Sequence, residues 1–170
     1  MKVLIAAGGS GGHIFPAVAL AKKLKEKNAQ VDILFVGSDK TLDRKIFEKE
    51  GFRFSLLSGN SLPYRTSFKT IIFFIKLFLD TMRSLRVIIT YRPDVVIGFG
   101  GYVSSPISLV SYLFRIPIVA HEQNVVPGRA NKILFSLARK VAVSFNETKG
   151  LLGRGAFKVV FTGNPIRASM

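Results

Sequence analysis

Two hydrophobic patterns alternate along this chain. The first is a short, continuous apolar run, seen in "KVLIAA" (residues 2–7), "VDILFVG" (31–37), "FRFSLL" (52–57), "DVVIGFGG" (94–101), "IPIVAHEQN" (116–124), "VAVSFN" (141–146) and "FKVVFTGN" (157–164). Runs apolar at successive positions read as strands covered on both faces. The second pattern repeats every three to four residues and predicts helices. One covers residues 14–28, with Val18, Leu20, Ala21 and Leu24 in period and Pro16 in its first turn. Others cover residues 41–51, closed by Gly51, then Phe68–Tyr91, 105–115, and 127–140 with Pro127 near its start. Strands alternating with helices predict an α/β chain with a Rossmann-like, doubly wound parallel sheet. Ligands of such sheets sit outside the carboxyl ends of the strands.

Three turns at those ends are rich in special residues: "GGSGGH" (8–13), "GFGGYVSS" (98–105) and "HEQNVVPG" (121–128). Glycines let backbone N–H groups approach a ligand, and a helix start adds unpaired donors and partial positive charge. A phosphate or another oxyanion suits such a turn. The first turn meets neither common nucleotide fingerprint, because Ile14 stands where the dinucleotide pattern needs its third glycine and no Lys-Ser or Lys-Thr follows. A tight corner, a phosphate cradle and a catalytic site all remain open for it. His13 lies where the helix field disfavours imidazolium, so it is either a general base or a side chain that caps the turn beside Phe15. Ser104 and Ser105 offer hydroxyls to the next helix start. The four polar residues His121 to Asn124 follow an apolar strand and point to a ligand, with Glu122 an acceptor or a base.

Composition narrows the choices. With 170 residues, 48% of them hydrophobic, the chain can bury one good core. It has no cysteine, which excludes disulfides and thiolate metal sites, and two histidines far apart. No clustered carboxylates suggest a metal, so no cofactor is expected. The net charge of +15 seeks anions. A nucleic-acid partner is not expected, since the basic residues are dispersed and no nucleic-acid motif is present. The amino terminus does not read as a signal peptide. The segment "TGNPIR" (162–167) reads as a turn or linker. The expected organisation is a domain over residues 1–163, a linker beginning at 164–170, and a second domain following in the natural protein.

"GGSGGHIFPAVALA", "GFGGYVSSP", "HEQNVVPGRANK" and "TGNPIR", in this order and spacing, resemble the MurG family of bacterial N-acetylglucosaminyltransferases. The resemblance runs from Met1 to about Arg167 and covers the amino-terminal half of that family. It implies one domain of a GT-B fold, with the carboxyl-terminal donor domain outside this chain. It implies transfer of GlcNAc from UDP-GlcNAc to lipid I, with inversion, giving lipid II for peptidoglycan, and through it a part in cell shape and division. The implied place is the cytoplasmic face of the bacterial plasma membrane. Carried over position by position, it assigns His13 as the base and Ser10, Gly11, Gly12, Asn124 and Arg167 as donor contacts. Gly100, Gly101, Tyr102, Glu122, Gln123 and Asn131 fall to the acceptor. The family usually has Thr at position 10 and Gly at position 105. The alternative is a non-catalytic membrane- or acceptor-binding subunit that works with a separate donor-binding chain.

The segment Phe68–Tyr91 has more apolar surface than packing on a sheet requires, beside a strip holding Lys69, Lys76, Asp80 and Arg83. Too many charges interrupt it for a spanning helix. An interfacial helix is the expectation, with Ile72, Ile75 and Leu79 entering an anionic membrane surface and Lys69, Lys76, Arg83 and Arg86 meeting its headgroups.

Overall fold

A computed structural model describes residues 1–60 and 68–166, without the side chains of residues 69, 129 and 153–155. Strands β1 (Lys2–Ala6), β2 (Asp32–Ser38), β3 (Arg53–Leu57), β4 (Val95–Gly98), β5 (Ile118–Glu122), β6 (Lys140–Val143) and β7 (Val159–Phe161) form one parallel sheet. Their order is β3-β2-β1-β4-β5-β6-β7. Every neighbouring pair is parallel, so the sheet needs cover on both faces.

The cover follows directly from strand alternation. Val3, Ile5, Ala7, Ile33 and Phe35 point to one face and pack on α1 (Gly11–Lys27) and α2 (Thr41–Lys49). Leu4, Ala6, Val36, Val96, Ala120 and Val141 point to the other and meet α3 (Phe68–Tyr91), α4 (Ser104–Leu113) and α5 (Arg129–Leu137). The strand order reverses at β1, between β2 and β4. The turns after β1 and β4 are the first two glycine turns of the sequence, so both stand at the topological switch point.

Three features differ from the sequence-based expectation. First, α1 begins at Gly11, and Pro16 is its sixth residue rather than part of its first turn. Gly11, Gly12 and His13 are themselves helical, and the amides of His13 and Ile14 both reach the Ser10 carbonyl at 3.2 Å. Second, residues Asn146–Lys158 form 3-10 turns, which their irregular apolar spacing did not announce. Third, α3 is inside out as far as Ser84. Its buried positions there include Asp80 and Ser84, while Phe68, Ile71, Ile72, Phe74, Ile75, Phe78, Leu79 and Met82 are exposed. The last two turns are ordinary: Ile88 and Tyr91 enter the core, and the Tyr91 hydroxyl donates to the Asp32 carbonyl at 2.8 Å.

Candidate functional site

The two glycine turns pack against each other. A Cβ at Gly101, whose φ is +75°, would sit 2.6 Å from the Gly8 carbonyl oxygen. Only glycine fits this backbone and this approach. Ser104 ties the turns to the sheet: it is fully buried, accepts from the Gly100 amide at 3.1 Å and lies within hydrogen-bond reach of the Ala6 and Gly100 carbonyls. The hydroxyl expected at the helix start is therefore used inward.

Between the turns lies a cleft of about 190 Å³ lined by Gly8, Gly9, Ser10, His13, Ser38, Lys40, Gly59, Gly101, Tyr102 and Val103. No side chain caps α1 and no acid sits in its first turn, so its positive end is left for an anionic ligand. Lys40 adds a cation, its Nζ donating to the Gly9 carbonyl at 3.0 Å. A larger hollow of about 370 Å³, lined by Ile88, Ile89, Arg92, Pro93, Phe114 and Ile116, lies beside the opposite, amino ends of β4 and β5 and offers mostly apolar wall.

A buried carboxylate holds the first turn in shape. Asp43 Oδ2 accepts from the Gly9 amide at 2.9 Å and from the Ser38 amide and hydroxyl, both at 2.7 Å. Asp43 is in the first turn of α2, where a negative charge also suits the helix field. The sequence reading missed it. The signal was present as the second of two acids in the polar turn "GSDKTLD", but nothing in one dimension shows that Gly9 comes to it from 34 residues away.

His13 projects from the first turn of α1, and its ring lies beside Gly101. Its Nδ1 is 3.1 Å from Gln123 Oε1, so the first and third special turns meet at this imidazole. Ser10 and Gly12 are exposed nearby, and Asn124 is exposed but not among the residues lining the cleft. Arg167 lies outside the described residues. Gly100 and Gly101 take positive φ, and Gly101 reaches the cleft with Tyr102. The Tyr102 hydroxyl is buried beside Asp80 and Ser58 without a well-formed hydrogen bond. Burial first, and then the Asp80 carboxylate, push its phenol above the ordinary range.

Glu122, Gln123 and Asn131, expected to contact the acceptor, are all buried; Glu122 and Gln123 bond within the protein, while Asn131 Oδ1 has no hydrogen-bond partner. Glu122 Oε1 accepts from the Asn124 amide and side chain, each at 3.0 Å, and Oε2 accepts from Asn131 Nδ2 at 2.6 Å. A carboxylate so enclosed organises the loop from behind instead of acting as a base. Gln123 lies between His13 and His121.

On α3, Lys76 reaches Asn60 Oδ1 at 3.3 Å and Arg83 pairs with Asp80 at 3.1 Å. Asp80 also accepts from the Ser58 amide and hydroxyl. The charged strip thus turns toward the loop after β3, leaving the apolar arc, with Ile72, Ile75 and Leu79, facing out. Arg86 is exposed as well, and the Lys69 side chain lies outside the described residues.

The parallel sheet, with paired glycine turns at its switch point and an imidazole between them, defines a Rossmann-like domain of the GT-B glycosyltransferase architecture. The chain belongs to glycosyltransferase family 28, whose N-terminal domain it matches over residues 3–143. It is 42% identical over 165 residues to a UDP-N-acetylglucosamine–N-acetylmuramyl-(pentapeptide) pyrophosphoryl-undecaprenol N-acetylglucosamine transferase of Natranaerobius thermophilus, covering 97% of this chain and 45% of that protein. A transferase of the same name from Acetivibrio thermocellus is 38% identical over 170 residues, covering 100% of this chain and 46% of that protein. The chain thus spans just under half the length of these relatives and corresponds to the amino-terminal half of a MurG-type protein. The crystal structure of Acinetobacter baumannii MurG superposes with a TM-score of 0.71 at 28% identity, covering 86% of this chain and 42% of that one. A Neisseria meningitidis UDP-GlcNAc 2-epimerase bound to UDP-GlcNAc shares the fold, with a TM-score of 0.69 at 16% identity over 97% of this chain and 47% of that one.

Proposed function

We propose that this chain is the acceptor-binding half of an inverting transferase that moves GlcNAc from UDP-GlcNAc to lipid I, giving lipid II. The observation that carries this reading is His13 set in a cleft between two glycine turns, with Nδ1 held by Gln123 and the ring beside Gly101. An acceptor hydroxyl is a weak nucleophile, and a neutral imidazole can take its proton as the oxygen attacks the anomeric carbon. The bond from that carbon to the UDP oxygen breaks on the opposite face, which inverts the centre. Backbone donors of the glycine turns and the positive end of α1 suit the charges of a pyrophosphate. In this reading Ser10, Gly11, Gly12, Asn124 and Arg167 supply this half's share of the donor site. Gly100, Gly101 and Tyr102 border the acceptor pyrophosphate, while Glu122, Gln123 and Asn131 act by holding that region. The names of the relatives support both the donor and the lipid-linked acceptor.

The same reading places the domain on the cytoplasmic surface of the plasma membrane. Among the described residues no helix is long and apolar enough to cross a membrane. Instead, the exposed arc of α3 inserts at the interface while Lys69, Lys76, Arg83 and Arg86 meet anionic headgroups. Docking there brings the cleft to the level at which a lipid-linked sugar enters.

The test uses the full-length protein with labelled UDP-GlcNAc and lipid I. Transfer is expected, and His13→Ala should lower kcat by about 10²–10⁴-fold with donor KM little changed. A rise in KM alone would make His13 a binding residue and remove the proposed base.

A further inference from the structure

A chain of hydrogen bonds runs from the segment after β7 to the cleft, and its direction is dictated at one end. The Gly163 carbonyl can only accept, so His121 Nε2, 3.2 Å away, carries a proton. His121 is buried against Phe99, with ring centroids 5.0 Å apart, and burial lowers its tendency to become imidazolium. The neighbouring Glu122 carboxylate favours the charged form but is engaged by Asn124 and Asn131. In the neutral ring, Nδ1 therefore offers a lone pair. It accepts from Gln123 Nε2 at 3.2 Å, and the same amide nitrogen lies 3.3 Å from the His121 carbonyl. Both partners of that nitrogen are acceptors, which fixes the orientation of the amide. Gln123 Oε1 must then face His13 Nδ1 at 3.1 Å, and an amide oxygen can only accept.

We propose that the Gly163 carbonyl, acting through His121 and Gln123, holds His13 in its Nδ1–H tautomer, with the lone pair on Nε2 directed to the cleft. Gln123 and His121 are then positioning residues. They touch no substrate and set which nitrogen of His13 can take a proton. The inference rests on the proposed base role only for its catalytic consequence; the tautomer itself is a property of the folded chain.

The chain has only two histidines, so ¹⁵N-histidine labelling gives two resolvable rings. Long-range ¹H–¹⁵N correlation at mildly alkaline pH should show His13 as Nδ1–H and His121 as Nε2–H. His13 found as Nε2–H, or averaging between the two forms, overturns the relay. Gln123→Leu should release His13 into a mixture of tautomers while His121 stays Nε2–H; an unchanged His13 signal would overturn the relay too. Gln123→Glu keeps the size of the side chain and guards against misfolding of the leucine variant. Its carboxylate still accepts from His13 but cannot donate to His121. His13 should remain Nδ1–H, and a switch to Nε2–H in this variant counts against the relay. In the full-length enzyme, Gln123→Leu should lower kcat by roughly 10-fold or more, short of the ~10⁴-fold seen when a triad loses its tautomer, with KM nearly unchanged. Full activity with a released tautomer would refute the base role of His13 and leave the relay standing.

Discussion

Asp43 shows how much one side chain can hold. Replacing it with Ala strands the Gly9 and Ser38 amides and should cost about 2–4 kcal/mol, read as a lowered urea midpoint. Asn keeps one accepting oxygen and should cost less. His121 makes the stability depend on pH. Its folded-state tendency to protonate is lowered, chiefly by burial, so the unfolded chain binds a proton first. Its stabilising contribution is complete above the unfolded value of about 6.5 and is lost as pH falls below it. The stability advantage of the wild type over His121→Gln should therefore shrink on acidification through that range. A constant difference would show that His121 binds protons equally in the folded and the unfolded chain. Gly101→Ala drives a methyl into the Gly8 carbonyl and should both destabilise the chain and distort the cleft, whereas Gly163, with no atom near its missing Cβ, meets only the backbone penalty of its positive φ.

At the level of the element, α3 carries the sharpest contrast. Burying one Ile, Leu or Phe is worth about 1.5–3 kcal/mol, and a whole row of them is left uncovered while Asp80 and Ser84 face inward. An element selected only for folding would be turned the other way. Ile75→Ser with Leu79→Ser should thus leave the unfolding free energy from urea titration within about 0.5 kcal/mol while removing the salt-resistant part of binding to vesicles. Reversing Lys76, Arg83 and Arg86 should remove the preference for anionic vesicles, about 1 kcal/mol per charge at low salt. Sedimentation of these variants with anionic and neutral vesicles separates the two contributions, and equal binding by all would refute docking through α3.

On the scale of the molecule, the cleft is lined by the carboxyl-end turns of β1, β2, β3 and β4, with the turn after β5 reaching it through Gln123 and His13, and its two glycine turns meet because the strand order reverses at β1. This chain spans just under half of its relatives' length, and the proposed function assigns most of the donor site to the remainder of such a protein. The isolated 170-residue chain should bind anionic vesicles yet transfer no GlcNAc, and measurable transfer by the purified chain would refute that division of labour.

Local pattern was enough for the strands, the helices and the parallel sheet, because short apolar runs bounded by turn residues and alternating with helices suit strands covered on both faces. It was enough, too, to mark the glycine turns and His13, since such residue types have few uses at strand ends. It could not show that α1 begins inside the first glycine turn, because glycine has no local preference that announces a helix. Nor could it separate side chains that face a ligand from those that brace them. Glu122, Gln123 and Asn131 stand in one polar loop with Asn124, but burial and pairing across 110 residues, from His13 to Gln123, turn them inward. The inside-out stretch of α3 was written as amphipathicity, while the side that faces water depended on Asp80 meeting Ser58 across 22 residues. Periodicity is a property of neighbours along the chain; which face is covered, and which nitrogen of His13 is free, depends on groups that only folding brings together.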